Sequence, residues 1–111
     1  MPRSVSYKDD LLDDLRNDDV FSEAYLSAAM ADSREAFLVA LRDVAEARLG
    51  GIANLAEEAN VNRETLYRTL SVAGNPRFST LESVLGALGM NLTVKLKAPA
   101  GSRPARRRKR G

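Results

Sequence analysis

Apolar residues recur along this chain at helical spacing in most of its length and at strand spacing in one short run. An Asp18-Asp19 pair precedes Val20, Phe21, Ala24, Tyr25 and Ala28. That i, i+3, i+4 rhythm predicts a helix over about 20–30, with the aspartates as its cap. Asp32 followed by Glu35 has the form of a capping box. It predicts a second helix carrying Phe37, Leu38, Leu41, Val44 and Ala45 and ending at Gly50-Gly51, since glycine takes the left-handed C-cap conformation without strain. Two short helices are expected over 52–59 and 63–71, and Gly74-Asn75-Pro76 then makes a loop. Ser79 with Glu82 forms a second capping box, opening a helix with the stripe Leu81, Val84, Leu85 and Leu88 that stops at Gly89.

Beyond Gly89 the period changes. In Asn91 to Lys97, NLTVKLK, apolar and polar residues alternate, with Leu92, Val94 and Leu96 on one face. Such a run predicts a β-strand. A lone strand needs a partner, so this edge is expected to pair with a second copy or another protein. The expected fold is all-α: a small helical bundle of about five helices containing a helix-turn-helix, with one C-terminal β-strand. Residues 1–17 form an acidic N-terminal segment, in which Leu11, Leu12 and Leu15 make either a small amphipathic turn or a piece that orders on binding. Residues 18–97 form the domain, and 98–111, nearly devoid of apolar side chains, are expected to be a disordered basic tail. No internal repeat is visible.

Composition narrows the functional classes. The 111 residues allow one compact domain with short tails, small enough that a dimer or complex is plausible. With no Cys and no His, disulfides, thiol nucleophiles, His bases and the usual zinc sets are excluded, and neither an enzyme nor a metal or cofactor site is expected. No apolar run approaches the ~20 residues that span a bilayer, and MPRSVSYKDD has no signal-peptide core. A cytoplasmic protein is expected. Net charge is +2, but residues 1–37 carry nine acids against four bases, while residues 98–111 carry six bases and no acid. An acidic front and a basic end suggest more than one kind of partner.

The candidate chemistry lies in 51–71, GIANLAEEANVNRETLYRTLS. Ala56 suits a close helix crossing, Asn60 four positions later tolerates a left-handed turn, and Val61 and Leu66 hold the two helices together. That register is the one a DNA-reading helix-turn-helix needs. Leu55, Ala56, Val61, Leu66 and Leu70 are expected in the core. Asn62 is placed to cap the second helix and to approach DNA. Arg63, Glu64, Tyr67, Arg68 and Ser71 occupy the other face: arginine pairs with guanine, and Glu64 either accepts from cytosine or orients an arginine. The plain alternative is a solvated face with a Glu64–Arg68 ion pair at i, i+4. Asn75 and Arg77, with the loop amides, can hold a phosphate. So can the amides that follow Gly50-Gly51. The run RRRKR at 106–110 is either a non-specific nucleic-acid contact or a solubilising tail.

DLLDDL, AYLSAAM and the stretch from FLVALRDVAEARLGG through RETLYRTLS and GNP to NLTV resemble the addiction-module antidote proteins. These are small helix-turn-helix antitoxins of the xenobiotic-response-element class, related to the Hig type. The resemblance covers about residues 8–96. It departs at the turn, where Asn60 stands in place of the usual glycine, and it leaves out the RRRKR tail. It implies a cytoplasmic antitoxin that binds a small basic toxin of the RelE/ParE superfamily and represses its own operon, with DNA contacts mapping onto Asn62, Arg63, Glu64, Tyr67 and Arg68. Toxin contacts are fixed by no motif. Charge complementarity suggests Asp9, Asp10, Asp13 and Asp14, although capping and solvation explain an acidic patch equally well. Two other readings stand beside this one. One is a toxin-binding scaffold that no longer reads an operator, and the other is a phage-type or stand-alone repressor with no toxin.

Overall fold

The structure, a computed structural model, describes residues 7–71 and 75–94. Among them are six helices and no strand: α1 (Tyr7–Asn17), α2 (Asp19–Asp32), α3 (Arg34–Leu49), α4 (Ile52–Ala59), α5 (Arg63–Thr69) and α6 (Phe78–Ala87). The helical bundle expected from periodicity is present, with one helix more than expected, because the acidic segment forms α1.

Helix α3 is the centre of the core. Its Phe37, Leu38, Ala40, Leu41, Val44, Ala45 and Ala47 are all buried. On one side it packs against α1 and α2, and on the other against α4, which in turn meets α5 and α6. Leu15 of α1 is fully buried, so each turn of α1 that reaches α3 removes leucine surface from water, at about 1.5–3 kcal/mol for a whole side chain.

The C-terminal ends of α1 and α3 are stitched together by arginines. Arg16 Nε donates to the Ala47 carbonyl at 3.0 Å, and Arg48 Nε donates to the Leu15 carbonyl at 2.8 Å. The last carbonyls of a helix lack intrahelical partners and carry the negative end of its dipole, so a cation is favoured there. Ser22, fully buried, donates from Oγ to the same Leu15 carbonyl at 2.8 Å and accepts from Arg48. Arg48 also pairs with Asp19 at 2.7 Å. Tyr25 donates to Asp43 Oδ2 at 2.7 Å, tying α2 to α3. Burial first, then that hydrogen bond and the Asp43 charge with a smaller contribution from Tyr7, push the phenol up to about 12, so it stays a donor at neutral pH.

Several expectations are corrected. The inward face of α2 is Phe21, Ser22, Tyr25, Leu26 and Ala29, whereas Val20 is 78% exposed and Ala24 and Ala28 face solvent. The stripe is offset because a serine, satisfied by a helix-end carbonyl, takes a core position. The cap of α3 is Ser33, which accepts from Ala36 N at 3.0 Å, because α2 continues through Asp32. The Asp18 cap on α2 does form, with Phe21 N at 2.9 Å. Helix α6 starts one residue before the proposed cap, with Arg77 at the N-cap position and no side-chain cap bond, so Ser79 lies inside the first turn. Its stripe holds: Val84, Leu85 and Leu88 are buried and Leu81 half-buried. The C-terminal β-strand is not present in the described part of its range. Residues 91–94 are neither helix nor strand, Leu92 is half-buried against the core, and Val94 is 97% exposed. A strand needs a neighbouring strand for its hydrogen bonds, and the described part of this chain supplies none. Leu96, Gly74 and the 98–111 tail lie outside the described residues. No helix among the described residues is long and apolar enough to cross a membrane.

Candidate nucleic-acid interface

The segment from Gly50 to Leu70 owes its shape to three backbone conformations. Gly50 (φ 90°) closes α3, and Gly51 (φ 138°, ψ 178°) re-aims the chain before α4 in a region essentially restricted to glycine. Asn54 of α4 reaches back from Nδ2 to the Leu49 carbonyl at 2.6 Å, fixing the α3–α4 corner. At the far end of α4, Asn60 takes the left-handed conformation (φ 59°, ψ 46°), the only positive φ outside glycine among the described residues. Val61 N then donates to the Ala56 carbonyl at 2.9 Å, closing the turn.

Asn62 caps α5 by accepting from Thr65 N at 2.9 Å. Leu66 and Leu70, with Leu55 and Ala56 of α4, are buried, and Val61 is half-buried, as the register predicts. Helix α5 has only seven residues and, among the helices, lies against α4 alone. Its C-terminal end has a second tether: Arg42 of α3 donates from Nη1 to the Leu70 carbonyl at 3.3 Å. Sequence reading did not find that contact, since nothing local to Arg42 signals a partner 28 residues away.

The remaining face of α5 is open. Asn62, Arg63, Glu64, Thr65 and Arg68 are exposed, and Tyr67 is 50% exposed. At about 100° per residue, Arg63, Tyr67, Glu64 and Arg68 fall in that order within an arc of about 140°. The Glu64–Arg68 ion pair does not form, and no side-chain hydrogen bond or ion pair occupies Arg63, Glu64, Tyr67 or Arg68. Thr65, at the edge of this face, was not singled out from the sequence, although its i, i+3 spacing makes it a neighbour of Arg68 on the helical wheel. Ser71 differs from the rest: it is half-buried, and its Oγ donates to the Arg68 carbonyl at 2.7 Å, so it ends the helix. Asn75 and Arg77 are exposed, and no hydrogen bond or ion pair joins their side chains to α5.

The pairing of cations divides the molecule in two. Lys8 contacts Asp43 and Glu46, Arg16 pairs with Asp13, Arg34 with Glu35, and Arg48 with Asp19, while Arg42 holds Leu70. Arg63, Arg68 and Arg77 are the three described cations whose side chains make no such bond. All three lie from α5 onward. Asp9, Asp10, Asp13 and Asp14 are exposed on α1, where helical geometry places them in two adjacent i, i+4 rows, with Asp13 bonded to Arg16 at 2.8 Å.

Comparison with known proteins follows the same stretch of chain. A protein of Haemophilus influenzae, described as an uncharacterized protein, is 41% identical over 64 residues, which is 58% of this chain and 64% of that protein. The chain therefore matches just under two thirds of that relative's length. No solved structure matches it significantly. A family model described as "Probable addiction module antidote protein" matches residues 6–96, from before α1 to beyond the last described residue. The chain belongs to this family of probable addiction module antidote proteins.

Proposed function

We propose that this antidote protein is the antitoxin of a type II toxin–antitoxin module, a non-enzymatic dual binder that represses its own operon and neutralises a RelE/ParE-like toxin by direct contact. In this reading α4, the Asn60 turn and α5 are a helix-turn-helix. Helix α5 enters the major groove, Arg63 and Arg68 address guanine edges or phosphates, and Asn62, Glu64 and Tyr67 complete the face. Asn75 and Arg77 hold a flanking phosphate, and Ser71 acts by fixing the end of α5. Two copies bind two half-sites about one helical turn, ~34 Å, apart.

The observation that carries the reading is the unpaired state of Arg63 and Arg68 on an otherwise open face. Before α5 the described cations are consumed by the protein's own acids and carbonyls, and from α5 onward they are left for another molecule. A gel-shift titration against the region upstream of the gene tests it. Arg63→Ala and Arg68→Ala should each weaken binding by about 5- to 150-fold, the ~1–3 kcal/mol of one good base contact. Wild-type affinity in both variants would remove α5 from the interface.

The toxin is assigned to α1. Its four exposed aspartates present a strongly anionic strip suited to a small basic partner, and they stand apart from α5 in the chain order. Changing Asp9, Asp10, Asp13 and Asp14 together to asparagine should weaken capture of the product of the adjacent reading frame while leaving operator binding intact. If no short basic frame adjoins the gene, the stand-alone repressor takes the place of the antitoxin.

A further inference from the structure

Arg42 differs from the other cations that the fold engages. Lys8, Arg16, Arg34 and Arg48 each pair with a carboxylate, whereas Arg42 pairs with none among the described residues. Its neighbour in the chain, Asp43, is turned toward Tyr25 of α2 and Lys8 of α1. The half-buried Arg42 guanidinium instead donates from Nη1 to the Leu70 carbonyl, just past α5, at 3.3 Å. Partial burial of a charge without a counter-ion adds little to the stability of a fold. A helix end tolerates it, because the last carbonyls lack intrahelical partners and carry the negative end of the dipole. Helices α3 and α5 do not pack against one another, so the arginine stem spans the space between them. Among the described residues, no other side-chain hydrogen bond or ion pair joins α5 or Leu70 to another helix.

We infer that Arg42 is a positioning residue for the contact of α5 with DNA: it touches no DNA itself and sets where Arg68 stands. The assignment rests on the reading of α5 as the DNA-reading helix. Three restraints act on this seven-residue helix. The Asn62 cap holds its N-terminal end. Buried Leu66 and Leu70 hold its inner side, but apolar contact is non-directional and leaves tilt and rotation weakly fixed. The Arg42 bond is directional and acts at the C-terminal end. Seven residues rise about 10 Å, so the two ends are set separately. Arg63 follows the cap directly, while Arg68 lies two residues, about 3 Å of rise, before Leu70. Arg42 therefore governs Arg68, as Asn62 governs Arg63. A hydrogen bond to a base edge or phosphate needs a donor–acceptor distance of about 2.7–3.2 Å, so a displacement of about 1 Å at this end forfeits it. Arg42 lies in α3, outside the helix-turn-helix, and no feature of the motif marks it.

A double-mutant cycle in gel-shift titration of the full chain separates positioning from a general loss of stability. Arg42→Met keeps the apolar stem and removes the donors. It should weaken operator binding about tenfold, the worth of one charge-assisted hydrogen bond and no more than the loss in Arg68→Ala. That loss should shrink to less than about twofold when Arg68 is already alanine, and stay near tenfold when Arg63 is alanine. Arg42→Lys keeps the charge, a donor and most of the stem, and should bind within about threefold of wild type. In the free protein, amide exchange at Thr69, Leu70 and Ser71 should quicken in Arg42→Met while α1, α2 and α3 keep their protection, a readout that needs no DNA. Equal losses in the Arg63→Ala and Arg68→Ala backgrounds overturn the inference, because a general scaffold residue or a cation that meets phosphate itself would give them. Unchanged exchange at the end of α5 overturns it as well. So does Arg42→Met with wild-type affinity, and a weakened Arg68→Ala beside it leaves the reading of α5 standing. Wild-type affinity in both Arg63→Ala and Arg68→Ala removes that reading and takes this inference with it.

Discussion

Ser22 and the Gly51–Asn60 pair show how single residues decide the course of this chain. Ser22 sits in the core because its hydroxyl and the Arg48 guanidinium together satisfy the Leu15 carbonyl at the end of α1. The hydroxyl is a second donor to that carbonyl beside Arg48 Nε and also accepts from Arg48, and a hydrogen bond of this kind contributes about 0.5–1.5 kcal/mol net. Gly51 and Asn60 set the two corners around α4, and they differ in how much substitution they tolerate. At Gly51 an added Cβ meets nothing within 4 Å, so the cost of alanine is purely the backbone conformation. Gly51→Ala should therefore lose about 1–3 kcal/mol of unfolding free energy in urea titration. Asn60→Gly should be neutral or slightly stabilising, because a left-handed turn suits glycine better. Asn60→Val should lose about 1–2 kcal/mol. If Gly51→Ala were as stable as wild type, the corner before α4 would not need its extended positive-φ geometry.

At the scale of elements, the α4–turn–α5 unit was legible in advance and the edges of other helices were not. Ala56, Asn60, Val61, Leu66 and Leu70 lie where their spacing put them, because a close helix crossing imposes both the small residue and the left-handed turn locally. The stripe of α2 was not legible, since Ser22 becomes a core residue only through Arg48, 26 residues away. The caps at Asp32 and Ser79 gave way to Ser33 and Arg77, because where a helix begins depends on how far its neighbour runs. Residues 91–94 carry a strand pattern without a strand because the pattern specifies a face and not a partner. Seven-residue α5 is too short to hold itself, so its cap matters twice. Asn62→Ala removes the bond to Thr65 N and should cost about 1 kcal/mol. Asn62→Asp keeps the cap and should leave the melting temperature near wild type, while its charge weakens operator binding. Equal DNA affinity for wild type and Asn62→Asp would mean that Asn62 serves the helix alone.

Over the whole molecule, charge is arranged so that the folded body contributes little to holding DNA. The described residues contain all 15 acids of the chain but only eight of its 17 bases, and eight more bases lie in 95–111. Five of the eight described bases are already engaged within the fold, so the phosphate contacts available to it are few. An acidic body repels a polyanion over a distance set by the Debye length, about 8 Å at physiological salt. In the proposed reading, contacts from α5 act against that repulsion, and the Arg103–Arg110 bases, by their place in the sequence, would offset it without reading sequence. Each phosphate contact contributes about −0.9 to the slope of log affinity against log salt. Removing 98–111, which carry six bases, should make the slope shallower by as much as about 5 if every one of them meets a phosphate. Affinity for random DNA and for the operator should fall by the same factor, because the tail does not distinguish them. The ratio of the two, which α5 sets in the proposed reading, should stay where it was. A truncated chain with an unchanged slope would mean that these bases meet no DNA. A truncated chain whose operator preference falls would mean that the tail reads sequence, shape or groove width alongside α5.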